Sequence, residues 1–63
     1  MPVIFFYGPK LGTDKKRELV RDFTNAASQA TGIPPSAFVV TLHELDPEDV
    51  GVGGELLADK GKK

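Results

Sequence analysis

VIFFY, Val3 to Tyr7 in the opening MPVIFFYGPK, strings β-branched and aromatic residues together with no polar alternation. A strand with one face in water alternates apolar and polar side chains, so this run reads as a strand covered on both faces. The two glycines and the proline of GPKLG, Gly8 to Gly12, then mark a loop. Thr13 or Asp14 is expected to cap the element that follows, its side-chain oxygen accepting an orphan N–H of a first helical turn. From there Leu19, Val20, Phe23, Ala26, Ala27 and Ala30 recur at spacings of three and four, while Lys16, Arg17, Arg21 and Asp22 fall largely elsewhere. That pattern predicts a helix with one buried stripe. TGIPP, Thr31 to Pro35, ends it: Gly32 suits the left-handed position after a helix, and Pro34 cannot continue one.

AFVVTLHEL, Ala37 to Leu45, reads as the second strand, with Phe38, Val40 and Leu42 on one face and Val39, Thr41 and His43 on the other. Strand, helix and strand make a βαβ unit, whose strands are expected to be parallel with a right-handed crossover. The fold class is therefore α/β, in the broad α+β sense. In DPEDVGVGGELL, Asp46 and Pro47 suit a turn, and the glycines permit a small C-terminal hairpin or arm built on Val50, Val52 and Leu56 or Leu57. Two strands under one helix leave an apolar sheet face and two open edges in water. Other copies of the chain are expected to supply the missing strands.

Composition narrows the function classes. Sixty-three residues make one domain, 1–63, and a chain of this length buries only about 60% of the surface its unfolded form exposes. There is no cysteine, so disulfides and thiolate metal sites are excluded, and one histidine cannot build a zinc site alone. No metal and no cofactor are called for. Oligomerisation is the staple that remains. A net charge of −1 argues against a nucleic-acid footprint, which needs a basic excess. The opening apolar run lacks a basic flank and is too short for a signal segment or a membrane span, which points to the cytoplasm and away from the membrane. The lysines of the closing KGKK read as a solvated tail.

Three features converge: Pro2 directly behind Met1, a βαβ unit of this length, and GVGGEL at Gly51 to Leu56. Together they resemble the 4-oxalocrotonate tautomerase family, over nearly the whole chain. The resemblance implies a dimer with a four-stranded sheet, assembled as a trimer of dimers into a homohexamer. It also implies an N-terminal proline, here Pro2 after removal of Met1, acting as general base in keto-enol isomerisation of a small unsaturated 2-hydroxy or 2-oxo acid. The chemistry is coherent. A backbone amine titrates near pH 8, and apolar surroundings, here Val3, Ile4, Phe5, Phe6 and Val50, favour its neutral form further. With Met1 attached, the Pro2 nitrogen is a tertiary amide with no proton and no available lone pair, and the site is silent.

The same resemblance exposes a departure. Family members carry an arginine in the loop after the first strand and another early in the second, which hold substrate carboxylates. Here the first position falls on Leu11, or on Gly12 when counted from Pro2, and the second on Val39; Val50 stands where an aromatic usually precedes the glycines. No lysine reproduces a guanidinium fork, so a dicarboxylate is expected to bind poorly. Lys10 is the candidate replacement, with Lys16 and Arg17 behind it, and Leu11, Val39 and Val50 mark the positions that line the substrate site. Two other activities fit the same residues: a hydratase or dehalogenase using protonated Pro2, and a non-catalytic oligomer that has lost its substrate arginines.

The remaining polar features have plainer readings. His43 is expected to be a half-exposed partner of a carboxylate such as Glu44. Glu44, Asp46, Glu48 and Asp49 read as solvated turn residues, because they lack the alternating oxygens of a calcium loop. GVGGE has neither the spacing nor the lysine of a phosphate-binding loop.

Overall fold

The computed structural model describes Met1 to Lys60; residues 61–63, most of the KGKK tail, lie outside the described residues. Strand β1 (Val3–Gly8) leads into helix α1 (Thr13–Thr31), a single 3-10 turn follows at Pro35–Ala37, and strand β2 (Val39–Glu44) lies parallel to β1. The register pairs Val3 with Val39, Phe5 with Thr41 and Tyr7 with His43, so these six side chains share one face of the sheet. Ile4, Phe6, Val40 and Leu42 share the other face. That face meets α1, where Phe6 and Phe23 pack with ring centroids 5.6 Å apart.

After β2 the chain makes a 3-10 turn at Pro47–Asp49, then strands β3 (Gly51–Val52) and β4 (Glu55–Leu56) pair antiparallel, and a last helical turn, α2 (Leu57–Lys60), follows. The hairpin explains its glycines. Gly53 and Gly54 have φ of 62° and 88°, and a two-residue turn with both central residues in the left-handed region needs glycine or asparagine there. The Leu57 N–H donates to the Val50 carbonyl at 2.7 Å and closes the arm.

Several expectations change in detail. Gly12, not Thr13 or Asp14, is the N-cap of α1 and makes no side-chain cap; Thr13 is already helical, and Asp14 instead accepts from Arg17 at 2.9 Å. The C-terminus ends on Gly32 with φ 78°, its N–H donating to the Ser28 carbonyl at 2.8 Å. Ala26 and Ala30 are exposed, and Lys16, Thr24 and Ser28 are half-buried in their place. Of the three alanines only Ala27 stays on the half-buried stripe. Ala37 belongs to the 3-10 turn because Pro34 and Pro35 delay the strand, and Leu45 lies just beyond β2.

The largest difference concerns cover. Within one chain β1 is covered on one face only: Val3, Phe5 and Tyr7 are 42%, 60% and 60% exposed. Among the described residues none is fully buried. The radius of gyration is 15.1 Å, against about 11 Å for a compact domain of this length. An unbroken apolar strand that is half bare leaves a contiguous apolar face of the kind that marks an interaction surface.

Phe23→Ala removes one half of the ring pair under the sheet and is expected to cost about 2–3 kcal/mol, at the low end for a core aromatic because the ring is half-buried. Urea unfolding measures it. A loss below about 1 kcal/mol would show that the helix is held by something other than this pair.

Candidate functional site

The parallel ladder separates the sequence candidates into two groups. At one end, the Pro2 carbonyl accepts the Val39 N–H at 3.0 Å, so the backbone of Pro2 is fixed while its nitrogen stays outside the ladder. Pro2 is half-buried. At the other end, Lys10 and Val50 line an open groove of about 900 Å³ between the tips of β1 and β2 and the C-terminal arm. Tyr7, Leu45, Pro47 and Leu57 give the groove its apolar wall, and Glu44 and Asp46 complete it. The six residues of β1 carry the chain about 20 Å between the two ends. One chain therefore does not bring Pro2 and Lys10 together.

Leu11 sits beside the groove, not in it. Its N–H donates to Glu44 Oε2 at 3.4 Å, and the residue lines a shallow pocket beside α1 with Lys15 and Leu19. Of the apolar residues expected around Pro2, Ile4 and Phe6 face the helix and Val50 lies at the far end of the strands.

Glu44 is the electrostatic centre of the groove end. Lys16 Nζ donates to its Oε2 at 2.6 Å across the α1–β2 interface. That ammonium, helped by the Leu11 N–H and more weakly by the charge of Lys10, holds the Glu44 carboxyl below the ordinary glutamate range. Lys10 makes no ion pair among the described residues. The pairing of Glu44 with Lys16 was not foreseen: the two are remote in sequence, and Lys16 looked like part of the solvated face. One signal for it existed, a lysine at the right helical phase to lie with Leu19, Val20 and Phe23.

His43 is not the partner of a carboxylate, because Glu44 points to the helix face and is taken by Lys16. The His43 Nε2 is instead 3.0 Å from Thr41 Oγ1, and the ring stacks on Tyr7 and Phe5 with centroids 4.6 and 5.9 Å away. Asp46 caps the 3-10 turn by accepting the Glu48 N–H at 3.2 Å.

With this geometry in view, comparison with known proteins is decisive. The family model described as tautomerase enzyme matches residues 2–60. The chain belongs to the tautomerase family. A curated relative, a probable tautomerase of Bacillus cereus, is 36% identical over 47 residues, covering 75% of this chain and 77% of that protein. Among solved structures, DmpI of Archaeoglobus fulgidus is 48% identical with a TM-score of 0.87, covering 92% of this chain and all of that one. A 4-oxalocrotonate tautomerase homologue is 35% identical with a TM-score of 0.84, covering 98% of this chain and all of that one. The tautomerase fold of these relatives includes the parallel βαβ unit and the C-terminal hairpin described above, and membership supports an isomerase of the tautomerase type. No helix among the described residues is long and apolar enough to cross a membrane.

The Glu44 carboxyl has a lower affinity for protons folded than unfolded, so its pairing stabilises the fold above the ordinary glutamate pKa of about 4.3 and is lost as pH falls through the lower folded value. Stability curves of wild type and Glu44→Gln are expected to lie apart at neutral pH and to converge in acid. Parallel curves down to pH 2 would show that the pair contributes nothing to folding.

Proposed function

We propose that the chain, once Met1 is removed, is a tautomerase in which the Pro2 amine is the general base. The observation that carries the reading is the placement of Pro2 in a tautomerase-family chain: its carbonyl is tied to Val39 and its nitrogen is left out of the ladder at the mouth of an apolar sheet face. A free secondary amine at this point takes the proton of an enol hydroxyl, or a proton from carbon beside a carbonyl. It then returns the proton elsewhere on the conjugated system. The dienolate between the two steps needs a nearby positive group, and Lys10 is the one offered. Met1 is exposed, so its removal meets no obstacle within the protomer.

The separation of Pro2 and Lys10 is resolved by a second copy. A twofold axis normal to the sheet runs two protomers antiparallel, giving a four-stranded sheet in which the Pro2 end of one chain lies beside the groove end of the other. Trimerisation of such dimers into a homohexamer covers Val3, Phe5, Tyr7 and Val39, the bare apolar face. The substrate is a small unsaturated 2-hydroxy or 2-oxo acid, bound by Lys10 and walled by Val50 of the groove, with Leu11 just outside it and no cofactor.

Intact mass first establishes that the chain begins at Pro2. Pro2→Ala, likewise processed to a free N-terminus, is then expected to assemble normally and to lose at least about 100-fold in kcat/KM toward a simple enol such as phenylenolpyruvate. Unchanged turnover would remove Pro2 from the mechanism. The rate of the wild type is expected to rise with pH as the amine loses its proton; a rate that rises toward acid would assign Pro2 the part of an acid. Silence toward every enol, with Pro2 free, would leave the non-catalytic oligomer.

A further inference from the structure

One lysine, Lys10, lines the groove, and a second, Lys16, reaches a groove-lining residue from α1; they are not equivalent. Lys16 Nζ is committed to Glu44 Oε2 at 2.6 Å, whereas Lys10 lines the groove without an ion pair among the described residues. Glu44 and Asp46 line the same groove. A substrate carboxylate entering here meets one uncommitted cation. A second carboxylate meets Asp46 and the Glu44 carboxylate instead, and the ammonium behind Glu44 is already bonded to it. The rest of the wall is Tyr7, Leu45, Pro47, Val50 and Leu57, which suits an apolar or aryl group.

We propose that Glu44 is a specificity-determining residue: by engaging Lys16 and presenting its own carboxylate to the groove, it restricts the site to monocarboxylate enols with an apolar remainder and disfavours dicarboxylates. The proposal rests on the tautomerase reading above, and it adds the substrate class. Its physical basis is that specificity is a difference of affinities, produced as readily by an unfavourable contact with the wrong ligand as by a favourable contact with the right one. Like charges brought together in a half-enclosed groove repel more strongly than in bulk water. The Lys16 ammonium holds the Glu44 carboxyl below the ordinary glutamate range, so the repulsion is present at neutral pH.

The test uses full-length protein beginning at Pro2 and steady-state kinetics with one monocarboxylate, phenylenolpyruvate, and one dicarboxylate, 2-hydroxymuconate. Wild type is expected to favour the monocarboxylate in kcat/KM. Glu44→Gln removes the anion and frees Lys16, and it is expected to raise the ratio of dicarboxylate to monocarboxylate kcat/KM about tenfold or more, chiefly through a lower KM for the dicarboxylate. Adding Lys16→Met to Glu44→Gln is expected to cancel most of that gain. A purely structural role for the pair would depress both substrates together and leave the ratio unmoved, which would overturn the proposal. So would a wild type that prefers the dicarboxylate. A ratio left unmoved by Glu44→Gln with Pro2 dependence intact condemns this proposal alone; turnover that survives Pro2→Ala condemns the mechanism. Should neither enol turn over, the mechanism fails, and binding titrations with 3-phenylpropionate and cis,cis-muconate read the same selectivity directly, with an unchanged ratio in Glu44→Gln counting against Glu44.

Discussion

The parallel ladder between β1 and β2 is the constraint from which the rest of the molecule follows. It runs from the Pro2 carbonyl, which accepts the Val39 N–H, to the Gly8 carbonyl, which accepts the Leu45 N–H at 2.8 Å. Parallel strands cannot be joined by a tight turn, so the chain must cross over, and α1 is that crossover. The same ladder sorts side chains by parity. Ile4 and Phe6 are sent beneath the helix and Phe5 and Tyr7 to the opposite face, where with His43 they make an aromatic stack that α1 cannot reach. Gly8 completes the arrangement from the helix side. A Cβ there would stand 2.7 Å from the Phe6 ring, so the absence of a side chain is what lets that ring lie back against Phe23.

A chain with no fully buried residue among those described has little to set against its conformational entropy. Half of its sheet is satisfied by α1, and the other half, led by Phe5 and Tyr7, is left exposed among the described residues. The C-terminal arm deepens the same imbalance, because Val52, Leu56 and Leu57 are exposed on a hairpin anchored mainly by the 2.7 Å bond from Leu57 to Val50. Apolar surface placed on both an open face and a projecting arm is distributed as in subunits, not as in free-standing domains.

How much of this could be read from sequence depended on the range of the interaction. Val3 to Tyr7, the break at Gly32 and the arm at GVGGEL depend on local chemistry: β propensity, the left-handed position after a helix, and the φ > 0 demanded by a two-residue hairpin turn. All three stand where they were expected. The helix start was misjudged because side-chain capping is only one way to begin a helix. Gly12 serves with its backbone, its carbonyl accepting the Lys16 N–H at 3.0 Å. His43 and Glu44 were misjudged for a different reason. Sequence proximity suggested that they pair with each other, yet adjacent strand residues point to opposite faces, which sends Glu44 to Lys16 and His43 to Thr41. For the candidate site, Pro2, Leu11, Val39 and Val50 come from the family resemblance, and Lys10 from its place in the loop beside the missing arginine. Their division between two ends of a strand became visible only once the register was known.

That division joins catalysis to association. On the reading proposed above, the base and the cation of one site come from different chains, so a dissociated protomer carries half of each site and completes none. The surfaces that would hold the protomers together are the same apolar face and arm that leave a single chain marginal. Stability, assembly and activity then respond to protein concentration through one equilibrium, since association stabilises the folded chain by mass action while it builds the site. A small chain without cysteines or a closed core thereby gains both its missing second layer and its missing reactive partner from a single set of contacts, and neither gain is separable from the other.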